Sequence, residues 1–247
     1  MRVIFLSFFL VVIGMTELKA QQLKVELVRS KTSNKDWRLM VKLLNYQRKF
    51  YEEIYDRPFE RGVNLMLFGR FRDFVRHTRR CCDFTPINDA YYNLNEDVVV
   101  VYKNQEFLLS FAHESSHSLS VGTRIKEHIW LDEGLADMLS SFQYNEKGEL
   151  KERLLYFSDK IPALGKGRRY LTDFIKGANE TWNQLSINDS YAFSWAIVNF
   201  IHRVEEGLLK RFLLDIEKGI DPITSLDEQY KGGYRKFARD LRAFYRY

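Results

Sequence analysis

Four prolines and 13 glycines among 247 residues leave little material for a linker, and no repeat or low-complexity tract interrupts the chain. Cysteine is confined to the adjacent pair Cys81-Cys82, which excludes a disulfide-stapled scaffold and lacks the spacing of a zinc–thiolate site. Neighbouring cysteines rarely bridge each other, because the small ring strains the intervening peptide, so the pair reads as free thiols or two small buried hydrophobes. Charge of one sign is scarce as well. A net +5 on the whole chain is mild, carries no functional weight in this reading, and leaves no nucleic-acid partner expected.

A long hydrophobic run is missing too. The longest, Val3 to Met15, has 13 residues, short of the roughly 20 a bilayer demands. Arg2 precedes it and the small Ala20 follows, so residues 1–20 read as a secretory signal peptide cleaved near Ala20-Gln21. The expected location is secreted or periplasmic, with no stable membrane span after cleavage; a retained N-terminal membrane anchor is the alternative. What is present is ordinary globular material, 45% hydrophobic and 29% charged, enough for a sizeable core. The aromatics, 15% of the chain, fall largely at helical spacing and read as core anchors on amphipathic helices, not as platforms for bases.

Along the mature chain, alternation over Leu23–Arg29 predicts a half-buried strand. Ser33 or Asn34 can cap a helix over residues 35–55, and the apolar stretches 63–68 and 98–102 predict two more strands. Residues 71–78, 106–119, 130–144, 190–205, 208–218 and 234–247 carry helical patterns. Strands before residue 103 and most helices after it imply α+β, not alternating βαβ units.

His113-Glu114-Ser115-Ser116-His117 is an H-E-x-x-H motif within one of these helices. Residues i and i+4 share a helical face about 6 Å apart, so two imidazoles can converge on one zinc ion while the intervening glutamate takes a proton from an acidified water. With five His and 18 Glu in the chain, chance predicts roughly 0.01 occurrences of the pattern. A third ligand is offered by Trp130-Leu131-Asp132-Glu133-Gly134-Leu135-Ala136-Asp137, where Glu133 and Asp137 again stand i, i+4 in apolar company. Glu133 is assigned to the metal. Asp137 is assigned to the free ring N–H of a ligating histidine; Asp132 and His128 are rivals for the third position. Thr123, six residues after His117, excludes a metzincin-type third histidine. The triplets beginning at Asn179 and Asn188 match glycosylation acceptors, a pattern common by chance.

H-E-x-x-H followed by W-L-x-E-G-x-A resembles the gluzincin metallopeptidases, the thermolysin and alanyl-aminopeptidase superfamily. It is most similar to the peptidase-MA-like families of small exported proteins, whose Tyr-x-x-Ser-Trp helix would correspond to Tyr191-Ala192-Phe193-Ser194-Trp195. The resemblance covers roughly residues 40–245. It implies a zincin-like α+β fold: one catalytic domain over residues 21–247, with a sheet-containing lobe to about 119 packed on the His-Glu helix and a helical lobe after it. It further implies one zinc ion, held by His113, His117 and Glu133, with Glu114 as general base and a peptide or protein as substrate. The 15 residues between His117 and Glu133 are slightly fewer than usual. No Gly-x-Met-Glu-Asn segment is present, which argues against aminopeptidase activity. A donor for the tetrahedral oxyanion is also needed; Tyr191 is the candidate, with His202, Tyr230 and Tyr234 in reserve, while His77 reads as a solvated surface residue. The alternatives are a zinc-stabilised scaffold that turns over nothing and a nonpeptide amide hydrolase.

Overall fold

The computed structural model describes residues 23–82, 88–145, 147–153, 161–176, 182 and 184–245. The expected signal peptide and the triplet at residues 179–181 lie outside them. The chain is α+β. It begins β1 (Leu23–Val28), α1 (Asn34–Tyr55), β2 (Val63–Phe68), α2 (Phe71–Cys81), β3 (Ala90–Asn93) and β4 (Val98–Tyr102). Two helices that carry the His-Glu motif and Glu133 follow, α3 (Phe107–Leu119) and α4 (Ile129–Ser141), separated by a single 3-10 turn at Arg124–Glu127. A hairpin of β5 (Phe142–Tyr144) and β6 (Leu150–Glu152) leads to α5 (Gly167–Lys176), α6 (Ile187–Val204), α7 (Leu208–Glu217), α8 (Pro222–Gln229) and α9 (Gly233–Phe244).

The main sheet has the order β1-β2-β4-β3, with β1, β2 and β4 parallel and β3 antiparallel at the edge. The β1–α1–β2 segment is thus a βαβ unit, one that the coarse segregation of strands and helices argued against. Strand alternation divides the core into two layers. Leu65, Leu67, Val99 and Val101 pack with Met40, Leu44 and Phe111 of α1 and α3, whereas Phe68 and Val100 meet Phe74 of α2 on the opposite face. α1 starts at a capping box: the Ser33 hydroxyl accepts from the Asp36 N–H at 3.0 Å, and the Asp36 carboxylate accepts from the Ser33 N–H, satisfying two donors that the first turn leaves open. Among the described residues no helix is long and apolar enough to cross a membrane.

Three further departures from the sequence reading have physical causes. β3, β5 and β6 span three or four residues each, too few for a periodicity to register, and they exist because a neighbouring strand pairs with them. The helix expected to run to Tyr144 therefore ends at Ser141. Cys81 and Cys82 form a disulfide with each other instead of remaining free. Cys82 lies just beyond α2 with φ −127° and ψ −2°, and both sulfurs turn towards β3. There Cys81 Sγ is 3.4 Å from the Tyr91 hydroxyl, and Asn93 Nδ2 donates to Cys82 Sγ at 3.4 Å.

Candidate metal centre

The His-Glu helix is fixed from behind by α1. The Tyr51 hydroxyl lies 3.2 Å from Ser116 Oγ, and Gln47 Nε2 donates to the Ala112 carbonyl at 2.5 Å, both in the buried interior. With that side occupied, His113, Glu114 and His117 fall on the side facing α4. α4 is anchored at its start by Trp130, wholly buried, whose indole N–H donates to the Ile175 carbonyl at 3.2 Å. Its middle lies directly against α6. A Cβ placed on Gly134 would stand 2.6 Å from the Ser194 carbonyl oxygen and 2.7 Å from a Val198 methyl, so the residue after Glu133 must be glycine for the two helices to approach this closely. We predict that Gly134→Ala lowers stability by about 1–3 kcal/mol, the usual cost of overpacking, and displaces α6 from Glu133. The shift in denaturant midpoint measures it; an unchanged midpoint would mean that the crossing is not tight.

Across this frame three donor atoms converge. His113 Nε2 and His117 Nε2 are 3.2 Å apart, and each is 3.3 Å from Glu133 Oε2. The opposite ring nitrogens are already engaged. His113 Nδ1 is 2.9 Å from Asp137 Oδ1, and His117 Nδ1 is 2.8 Å from Asp132 Oδ2. Hydrogen bonds there fix each ring with a proton on Nδ1, so that in the neutral form each Nε2 presents a lone pair. Glu133 Oε2 is buried and has no hydrogen-bond partner, although buried carboxylate oxygens are normally satisfied. Two imidazole lone pairs and an orphaned carboxylate oxygen facing one point are an electrostatic conflict that a cation resolves. His113, His117 and Glu133 together could hold a metal ion.

The protonation preferences carry the same signature. Burial disfavours the charged imidazole of His113, but the carboxylates of Asp137 and Glu133 beside it outweigh that and hold its pKa well above the ordinary value. At His117 burial again opposes charge, and Asp132 and Glu133 override it, raising the pKa to about 9. Glu133 runs the other way. Burial would raise it, yet the two imidazolium groups hold it below the usual carboxylate range. With no metal present, protons supply the positive charge that the cluster demands.

Glu114 is half-buried in the same cluster. Burial raises its pKa, the imidazoles of His113 and His117 pull it down, and the charge of Glu133 pushes it up. Tyr191, from the second turn of α6, sets its ring 6.0 Å from His113 and 5.4 Å from Trp182. Burial, followed by the negative charge of Glu133, Glu114 and Asp137, keeps its phenol protonated far into the alkaline range.

The structure therefore gathers His113, Glu114, His117, Glu133, Asp137 and Tyr191. The rival candidates lie elsewhere. His128 caps the start of α4 outside the donor triangle, and His202 is exposed in the last turn of α6. The hydroxyl of Tyr230 donates to Asp240, while that of Tyr234 lies 3.0 Å from Thr172 Oγ1. His77 is not solvated: it is half-buried, its ring 5.2 Å from Phe68.

Asp132 has a part that the sequence reading did not give it. Weighed there only as a third ligand, it instead braces His117, and it also accepts from Lys126 Nζ at 2.7 Å and Ser120 Oγ at 2.9 Å. Burial would raise its pKa, but His117 and Lys126 hold it at about 2. Each ligand imidazole thus has its own carboxylate, and both come from the helix that supplies Glu133. The available signal was the position of Asp132, one residue before Glu133 in a helix facing two histidines. No known family model matches the chain, and no curated protein matches it by sequence.

Proposed function

We propose that this chain is an exported zinc-dependent peptidase of gluzincin type, with His113, His117 and Glu133 as metal ligands and Glu114 as general base. The observation that carries the reading is the donor triangle, 3.2–3.3 Å on each side, with a carboxylate free of ligand duty beside it. Zinc binds His nitrogen at about 2.0–2.1 Å and carboxylate oxygen at about 2.0–2.2 Å, and tetrahedral ligands at those lengths stand about 3.4 Å apart. Two nitrogens and one oxygen also form the donor set of hydrolytic zinc sites that keep a fourth position open. Bound there, zinc supplies Lewis acidity, acidifying a water and polarising a substrate carbonyl.

The chain's own residues do the rest. Glu114, with its pKa raised by burial, takes the proton of the attacking water and returns it to the leaving amine. Asp137 and Asp132 hold the two imidazoles in the tautomer that aims Nε2 inward. Tyr191, protonated and beside Glu133, donates a hydrogen bond to the oxyanion that forms when the carbonyl is attacked.

The Tyr191 role predicts a specific kinetic signature. An interaction made only in the transition state changes kcat and spares binding. Tyr191→Phe should keep its metal and KM while kcat falls roughly 10²–10³-fold. A kcat near wild type at full metal occupancy would make Tyr191 a packing residue. The reading as a whole is tested by incubating the mature protein with a proteome-derived peptide library and locating cleavages by mass spectrometry, with Glu114→Gln as control. Cleavage by wild type alone supports a peptidase; identical peptide profiles from both proteins would leave a metal-stabilised scaffold.

A further inference from the structure

Exposed arginines crowd one short helix of the sheet-containing half. Arg70, Arg72, Arg76, Arg79 and Arg80, on α2 and at its cap, are all exposed, and Arg29 at the end of β1 joins them. Asp73 is the one acid of the helix, shared by Arg29 at 3.4 Å and Arg76 at 3.5 Å. Six guanidinium groups stand here against one carboxylate. Among the described residues Arg70, Arg72, Arg79 and Arg80 enter no ion pair.

The arrangement is a stripe. Positions 72, 76, 79 and 80 follow i, i+4, i+7 and i+8, which places them along one side of the helix over about 12 Å. The opposite side, with Phe74 and Thr78, is buried against Phe68 and Val100, so the arginines are not needed to hold α2 on the sheet. Phe71 stands at the start of the stripe between Arg70 and Arg72, 48% exposed. The metal centre belongs to α3 on the other face of the sheet, so a partner on α2 leaves it open.

We propose that the arginine face of α2 docks the protein on an anionic phospholipid surface. Guanidinium forks take paired oxygens of the lipid phosphodiesters, and Phe71 enters the headgroup layer as an interfacial aromatic. The shape of the stripe favours a bilayer over a single-stranded nucleic acid. The stripe lies on the outside of a single helix, and its one exposed ring already leans edge-on against Tyr102, 5.4 Å away, so it offers no run of stacking platforms to a nucleic-acid strand. The proposal is independent of whether the metal centre is catalytic.

The test is flotation of the full chain with vesicles of phosphatidylcholine alone and of phosphatidylcholine with about one third phosphatidylglycerol. The protein should float with the anionic vesicles and not the neutral ones, and release as salt shortens the screening length. Arg79→Gln should lower partitioning about fivefold, the loss of one basic contact at a charged surface. The fourfold variant Arg72→Glu/Arg76→Glu/Arg79→Glu/Arg80→Glu should abolish binding while keeping wild-type circular dichroism; if it does not fold, Arg79→Gln/Arg80→Gln replaces it, with about a 25-fold loss expected. Parallel arms use a short DNA duplex and poly-glutamate. Equal flotation with both vesicles, wild-type binding by the charge variants, or capture by DNA or poly-glutamate without anionic-vesicle binding would each overturn the proposal.

Discussion

Glu114→Gln should retain the metal at wild-type occupancy and lose nearly all peptidase activity, with kcat down roughly 10²–10⁴-fold. The amide keeps the shape and size of the side chain, so the fold has no reason to change. What disappears is a base poised between two influences: burial that raises its pKa and imidazoles that lower it. A glutamate in a purely structural metal site would have no such task. Metal analysis with single-turnover kinetics separates the outcomes. Loss of metal in Glu114→Gln would make the residue a ligand, and unimpaired turnover would place the base elsewhere.

Removing a ligand should act in the opposite sense. In Glu133→Ala the two Nε2 atoms, 3.2 Å apart, lose the oxygen that completes the triangle. His113→Ala further leaves Asp137 without the imidazole at 2.9 Å. Metal affinity should fall by more than the roughly 10–100-fold typical of removing an outer partner, and activity should go with it. Stability is a second readout. A metal that binds only the native state at a thousand times its Kd adds about 4 kcal/mol, so a chelator should lower the melting temperature of wild type and leave Glu133→Ala nearly unmoved. A chelator response of wild-type size in Glu133→Ala would remove Glu133 from the ligand set.

Much of this centre is legible in the chain because helices make spacing into geometry. His113 with His117, and Glu133 with Asp137, are each one turn apart, so each pair declares its shared face before any tertiary contact is known. The longest elements declare themselves similarly: α1 with its Ser33 cap, and β4 with Val98 to Val101. What stayed hidden depends on contacts between segments distant in sequence. The bond from Asp132 to His117 spans two helices, and β3 acquires its strand character from β4. The Cys81–Cys82 bridge depends on how the chain leaves α2, where the backbone of a single residue decides whether neighbouring sulfurs meet. Net charge is uninformative in a different way, since a sum does not show where arginines cluster, as they do on α2.

The central claim, one metal ion in the His113–His117–Glu133 triangle, is tested most directly by calorimetric zinc titration of the metal-stripped protein across pH, with proton release followed in buffers of different ionisation heat. In the stripped protein His113 titrates well above the ordinary imidazole range and His117 at about 9, so at pH 7 both carry the proton that zinc must displace. The account predicts one zinc per chain, release of about two protons at pH 7, and an apparent affinity that falls steeply as pH drops from there. The affinity should rise with pH through the titration of His117 at about 9 and level off only once both imidazoles are deprotonated. Wild-type protein that takes up no zinc, or that binds it with no proton release and no dependence on pH, would contradict the assignment.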